Sequence, residues 1–178
     1  MAAMRSIQRL LGPEQPGTRE PYLLRTHQPG DMGWVVHRHG VLYAREYGFD
    51  ETFEALVARI VARFIERYDP RRERCWIAER EGRIVGCVFL VKARPTIGQL
   101  RLFLVEPQAR GLGIGSRLVD ECVRFARTAG YRRVRLWTQS ILLAARHIYS
   151  KAGFRVIGEE RHTHYGRDLI AETWELRL

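Results

Sequence analysis

The chain has 178 residues, 46% of them hydrophobic and 28% charged, with a formal net charge of +10. That length fits one domain with an ordinary core, no apolar run approaches the ~20 residues that cross a bilayer, and the amino terminus lacks a secretory h-region. A cytoplasmic protein with no membrane partner is therefore expected. The positive charge would suit nucleic acid, but its make-up argues otherwise. The basic residues are 28 arginines and two lysines (Lys92 and Lys151), scattered and not gathered into a tract, so no nucleic-acid partner is expected. Cys75, Cys87 and Cys122 are an odd set without a CxxC pair or histidine clustering, and read as reduced core thiols with no metal site.

Residues 1–20, with Gly12, Pro13, Pro16 and Gly17, read as a flexible tail ahead of a single domain over 21–178. A first strand is expected over Tyr22–His27. Asp31 is the expected N-cap of a helix running to about Glu46. Asp50 caps a second helix, in which Phe53, Leu56, Val57, Ile60, Val61, Phe64 and Ile65 fall on one apolar stripe. Arg74–Arg80 and Arg83–Lys92 flank Glu81-Gly82 as a hairpin, and Ile97–Glu106 follows as a further strand. A helix then runs to about Ala129 with Leu118, Cys122, Phe125 and Ala129 on one face, and Gly130 stands at its C′ position. Arg132–Thr138 reads as a strand, Leu142–Ala152 as a helix, and Phe154–His162 with Asp168–Leu178 as a closing hairpin. The order is β-α-α-β-β-β-α-β-α-β-β, an α/β chain without internal repeats.

The stretch Leu100–Ser116, LRLFLVEPQARGLGIGS, carries the chemistry. An apolar strand ends in Val-Glu-Pro and turns through Gly111, Gly113 and Gly115 into a helix. Alternating glycines let successive N–H groups converge on one anion, and the helix N-terminus adds its positive dipole end. The spacing fails the dinucleotide fingerprint, because the last required glycine would be Ser116 or Leu118. It fails the P-loop as well, because no lysine followed by Ser or Thr comes after the glycines.

The Arg110–Gly115 turn, RGLGIG, together with Tyr149–Phe154, YSKAGF, resembles the GNAT superfamily of acyl-CoA-dependent N-acetyltransferases. Tyr22–Val41 is further similar to the acetyltransferase half of bacterial proteins that fuse a MarR-type regulator to a GNAT domain. The resemblance implies the GNAT fold, a mixed, mostly antiparallel sheet of about seven strands flanked by about four helices. It implies acetyl-CoA as cofactor, with the diphosphate on the amides of Gly111, Leu112, Gly113, Ile114, Gly115 and Ser116 and on the Arg110 side chain. The pantetheine arm would lie beside Leu104 and Val105, one of whose N–H groups would polarise the thioester carbonyl. A splay between that strand and Arg132–Thr138 would form the slot. Tyr149 matches the family tyrosine that protonates the leaving sulfur, and a phenol with an ordinary pKa of about 10 is suited to that. Many relatives carry an asparagine at the position of Leu142; Ser140, with Gln139 beside it, stands in as the nearest polar contact to the cofactor.

The implied reaction is direct attack by a primary amine on the thioester. The acceptor stays open among small amines, amino acids and antibiotics, ahead of a protein lysine or amino terminus. The base stays open among His37, His39, His162, His164, Glu46, Glu172, Tyr165 and ordered water. Glu106, next to Pro107, reads as a solvated strand-end carboxylate. Trp34, Tyr43, Tyr47 and Phe49 lie in the segment expected to wall the acceptor side. Family members often dimerise, so a homodimer is an open expectation. The competing reading is a non-catalytic acyl-CoA sensor that works through a transcriptional partner.

Overall fold

The computed structural model describes residues 22–178, so the expected tail over 1–20 lies outside the described residues. In chain order the elements are β1 (Leu23–Thr26), α1 (Asp31–Tyr47), α2 (Glu51–Arg67), β2 (Arg74–Arg80), β3 (Arg83–Arg94), β4 (Ile97–Val105), a 3-10 turn (Pro107–Ala109), α3 (Ile114–Thr128), β5 (Arg133–Gln139), α4 (Leu143–Lys151), β6 (Arg155–His164) and β7 (Arg167–Arg177). One seven-stranded sheet has the order β1-β2-β3-β4-β5-β7-β6. All neighbours are antiparallel except β4 and β5. The α/β fold class and the element order expected above are those found.

The central strands β2 and β3 are buried on both faces, which is why they read as nearly continuous apolar runs, whereas the edge strand β6 is exposed along most of its length. Successive side chains alternate between two cores. Cys75, Ile77, Cys87 and Phe89 meet α1 and α2 through Val35, Leu42, Val57, Val61 and Phe64. Trp76, Ala78, Val88 and Leu90 meet α3 through Leu118, Val119, Cys122 and Ala126. Ile65 departs from the expected stripe and is 49% exposed. The α2 stripe is wider than one core needs, and its Phe53, Leu56 and Ile60 edge lines a cavity instead.

Local signals account for most boundaries. Asp50 caps α2 by accepting from the Thr52 amide at 3.0 Å. Both hairpin tips, Glu81-Gly82 and Tyr165-Gly166, place two residues at positive φ, the twist-matched turn for a short hairpin. At α1 the expectation is corrected: Gly30, at φ 98°, is the N-cap and Asp31 is the first helical residue. The Asp31 carboxylate is drawn away from the helix amides by Arg25, at 2.7 Å, and by the Gln28 amide.

Phe89 is fully buried and meets the Phe64 ring edge-on at 5.0 Å. Phe89→Ala is expected to lower the unfolding free energy by about 3–5 kcal/mol in urea titrations. A loss below about 1 kcal/mol would contradict this placement.

Candidate functional site

The site begins where two strands part. β4 and β5 pair only through Ile97–Leu100 against Arg133–Leu136. Beyond that point β5 continues with β7 to Gln139, while β4 bends away. The bend has a local cause. Leu102 sits at φ 49°, and the β3 register jumps from Phe89↔Arg101 to Cys87↔Leu104, the mark of a β-bulge. The Cys87 thiol donates to the Leu102 carbonyl at 3.2 Å. The expected slot is therefore formed.

Backbone direction decides which amides face it. The Glu106 N–H donates to Val85 on β3 at 2.8 Å. Alternation then turns the Val105 N–H away from β3 and the Leu104 N–H toward it. The Val105 carbonyl, on the same side as its amide, accepts from Arg110 Nε at 3.2 Å. Of the two amides expected to polarise a carbonyl, Val105 faces the slot, whereas the Leu104 side chain is buried in the core under α1 and α2.

The glycine turn follows directly. Gly111 (φ 78°) and Gly113 (φ 81°) are both left-handed, and Gly113 is the N-cap of α3 without a side-chain cap. The Arg117 amide makes the first bond into the helix, to the Gly113 carbonyl, so the amides of Ile114, Gly115 and Ser116 precede the helical ladder. No acidic residue stands in the first turn. A Cβ on Gly115 would lie 2.8 Å from Ile148 and 3.2 Å from Phe103, so α3 packs this closely on α4 and β4 only because the residue is glycine. Leu112 packs partly onto the α3 core, and Ser116 is exposed. The Arg110 guanidinium is held by Glu46 of α1 at 2.7 Å and by the Val105 carbonyl, at the mouth of the slot.

Behind the parted strands lies a cavity of about 610 Å³. Its walls come from α1 and α2 (His39, Tyr43, Phe53, Leu56, Ile60), from β4 (Arg101, Leu102, Phe103), from β5 (Trp137, Thr138, Gln139), and from Tyr149 and Tyr165. Tyr149 is buried between Phe103, Phe154 and Trp174. Burial pushes its phenol well above the usual value of 10, and Tyr43 adds to the shift, so it is protonated across the neutral range. Leu142 lines the cavity, whereas Ser140 lies outside the lining, its amide bonded to the Ile170 carbonyl. Gln139 fills that place: its Oε1 accepts from His162 Nε2 at 3.1 Å while its buried Nε2 has no partner among the described residues. Sequence pattern alone did not single out Gln139, because a strand-end glutamine carries no periodic signal.

The structure sorts the candidate bases. Glu106 corrects the expectation of a solvated carboxylate. It is 3% exposed and gripped by Arg38 of α1, at 2.5 Å from Nε and 2.8 Å from Nη2. Glu172 is buried and accepts from Arg146 and Trp174, and Glu46 is taken by Arg110. His37 is exposed and outside the cavity lining. His162 meets His164 at 2.6 Å between Nδ1 atoms. His39 differs: it is buried, its Nδ1–H donates to the Val35 carbonyl at 2.8 Å, and its Nε2 has no partner among the described residues. A carbonyl can only accept, so this bond fixes a tautomer with a lone pair on Nε2. Burial pushes its pKa down to about 4, against the partial lift from Val35. Tyr165 stacks on Phe49 and its carbonyl accepts from the Asp50 amide, which pins the β6–β7 tip to the α1–α2 corner. Tyr43, Tyr47 and Phe49 form one aromatic cluster there, while Trp34 packs on the α1–α2 core. All three cysteines are buried and free, and burial raises each thiol pKa. Among the described residues no group of His, Cys, Asp or Glu could hold a metal ion, and no helix is long and apolar enough to cross a membrane.

A left-handed glycine turn thus feeds an uncapped helix beside strands opened by a bulge. The signature of the acetyltransferase (GNAT) family matches residues 14–154, and the chain belongs to that family. The chain is 38% identical over 89 residues to human N-acetyltransferase 8B, a match that covers 47% of this chain and 39% of that protein. It is 30% identical over 115 residues to an uncharacterized N-acetyltransferase of Schizosaccharomyces pombe, with 64% and 70% covered. The chain thus spans well under half of the human relative's length. These sequence relatives are eukaryotic, whereas the expectation for Tyr22–Val41 was bacterial fusion proteins. Among solved structures, an acetyltransferase of Salmonella typhimurium with its cofactor acetyl-CoA superposes with a TM-score of 0.72 at 16% identity, covering 88% of this chain and 93% of that one. Spermidine N-acetyltransferase of Vibrio cholerae, in complex with CoA and spermine, gives 0.69 at 17% identity, covering 89% and 96%.

The His39 geometry makes a prediction about pH. The folded chain keeps His39 neutral down to about pH 4, whereas the unfolded chain protonates it near 6.5. Between those values the unfolded state binds more protons, so stability falls as pH drops through the window, by up to about 1.4 kcal/mol per pH unit from this residue. In urea titrations at several pH values, His39→Gln is expected to flatten that part of the stability profile. A profile with the same slope as wild type would contradict the buried neutral imidazole.

Proposed function

We propose that the chain is an acetyl-CoA-dependent N-acetyltransferase that moves an acetyl group to a primary amine by direct attack in a ternary complex. The observation that carries this reading is the continuity of three features: the left-handed Gly111–Gly113 turn, the Gly115–Phe103 contact and the slot behind the β4 bulge. The turn suits a diphosphate, because the Ile114, Gly115 and Ser116 amides stand free of the helical ladder at the positive end of α3. The slot suits a chain of amides, because the Val105 N–H has no strand to pair with. Acetyl-CoA supplies the acetyl thioester when bound.

The chain's own groups cover what remains. The Val105 amide donates to the carbonyl oxygen as negative charge grows there. Tyr149 would hold its proton for the departing sulfur, and solvent would reprotonate the phenol. The acceptor ammonium would first lose one proton to solvent and the attacking nitrogen a second as the amide forms, while His39 Nε2 on the cavity wall accepts a hydrogen bond from that nitrogen. Arg110 fixes the mouth of the slot by joining β4 to α1, and the diphosphate falls to the backbone amides. The residues from 21 onward act as one domain, in the cytoplasm, where its three buried thiols stay reduced.

Two variants test the two ends of the site. Gly113→Val is expected to abolish CoA binding in calorimetry while the far-ultraviolet CD spectrum is kept; normal binding would refute the diphosphate placement. Tyr149→Phe is expected to hold CoA affinity within twofold and lower kcat by about 10²-fold or more. Unchanged turnover would remove the acid role. Wild-type protein that binds CoA yet releases no thiol with any amine would favour the acyl-CoA sensor instead.

A further inference from the structure

The charge on the cavity wall is one-sided. Among the described residues no aspartate or glutamate lines it, and its charged lining residues are Arg94, Arg101 and Arg135. Arg135 is neutralised by Glu175 at 2.7 Å. Arg101 is half-buried and makes no ion pair or hydrogen bond with any described residue, although Arg25, Arg38, Arg110 and Arg146 each hold a carboxylate. Burial, and then the nearby charge of Arg63, push its pKa down, whereas Arg25 and Arg38 are pushed up by their carboxylate partners against the opposing effect of burial. A guanidinium keeps its proton, so Arg101 faces the cavity as a half-buried cation without a carboxylate partner among the described residues, a position that favours an anion entering there.

Position separates that anion from a cofactor phosphate. Leu100 points into the α3 core, so Arg101 points to the opposite face, toward α2 and Arg63. About 13 Å of strand separate it from Val105 at the diphosphate end of β4. Close to Arg101, the Tyr43, Phe53, Leu56 and Ile60 wall is apolar and aromatic.

We propose that the acceptor is an apolar α-amino acid, with its carboxylate on Arg101, its side chain on the α1–α2 wall and its amine toward Tyr149. This rests on the transferase reading above. It excludes polyamines as preferred acceptors, because a multiply charged cation would meet arginine where it needs carboxylate. One carboxylate pairs with one guanidinium through parallel N–H···O bonds, and the α-carbon places the amine within one bond of the carboxyl carbon's neighbour.

The test measures thiol release from acetyl-CoA by the full chain with L-phenylalanine, L-leucine, their carboxamides and spermidine. The expected result is kcat/KM at least tenfold higher for each acid than for its amide, with spermidine lowest. Arg101→Gln should cut kcat/KM for the acids tenfold or more, mainly through KM, and bring the acid-to-amide ratio near one. Its CoA affinity should stay within twofold, and its Tm should equal or exceed wild type, because the substitution removes an unpaired half-buried charge. Equal use of acids and amides, a preference for spermidine, or an Arg101→Gln loss that falls equally on acids and amides would overturn the proposal. Thiol release with none of the amines, while CoA still binds, would overturn the transferase reading itself.

Discussion

The rest of the site depends on the place where β4 stops pairing with β5. A parallel ladder that ran its full length would close the sheet and leave nothing between Phe103 and Thr138 to bind. The bulge at Leu102 prevents this by setting a leucine in the left-handed region, a conformation that costs about 1–2 kcal/mol for a residue with a Cβ. The surroundings hold it there. Cys87 reaches the Leu102 carbonyl, and the β3 ladder resumes at Leu104. The opened edge leaves backbone groups that a ligand with its own amides can satisfy, and in the proposed function that ligand is the pantetheine arm.

Arginine is the fastener of this architecture. Arg25 joins β1 to Asp31 and Glu79, Arg38 joins α1 to Glu106 at the end of β4, and Arg110 joins the glycine turn to Glu46. All three ties converge on the α1 side, so the wall of the cavity is set against the strand that carries the slot. Planar, multidentate guanidinium groups suit such cross-element bonds better than lysine does, which gives the 28-to-two arginine excess a structural use. Within the cavity the same chemistry is left unfinished at Arg101, which the carboxylate of the proposed acceptor would complete.

Much of this was legible in the chain because the signals are local. Glycines at 111 and 113 must turn left-handed, Glu81-Gly82 must form a hairpin tip, and Asp50 caps the helix it precedes. The apolar runs on either side of Glu81-Gly82 marked β2 and β3 as the two arms of a hairpin. What was hidden depends on distance along the chain. Leucine gives no hint of positive φ, so the bulge at Leu102 could not be read. Glu106 looked solvated because its partner, Arg38, is 68 residues away. Asp31 looked like an N-cap because nothing local shows that Arg25 would claim its carboxylate. The fixed tautomer of His39 and the partnerless amide of Gln139 arise only once helices and strands are assembled.

The central claim is that the glycine turn and the slot behind the bulge are one continuous ligand site. Backbone-amide NMR of the full chain during titration with CoA tests it most directly. The account predicts that the largest shifts fall at once on Gly111–Ser116 and on Phe103–Val105, and that Gly113→Val removes both sets together. Shifts confined to another surface, such as the arginine-lined groove formed by Tyr22, Arg74, Arg117 and Arg124, or movement of the turn without Phe103–Val105, would contradict it.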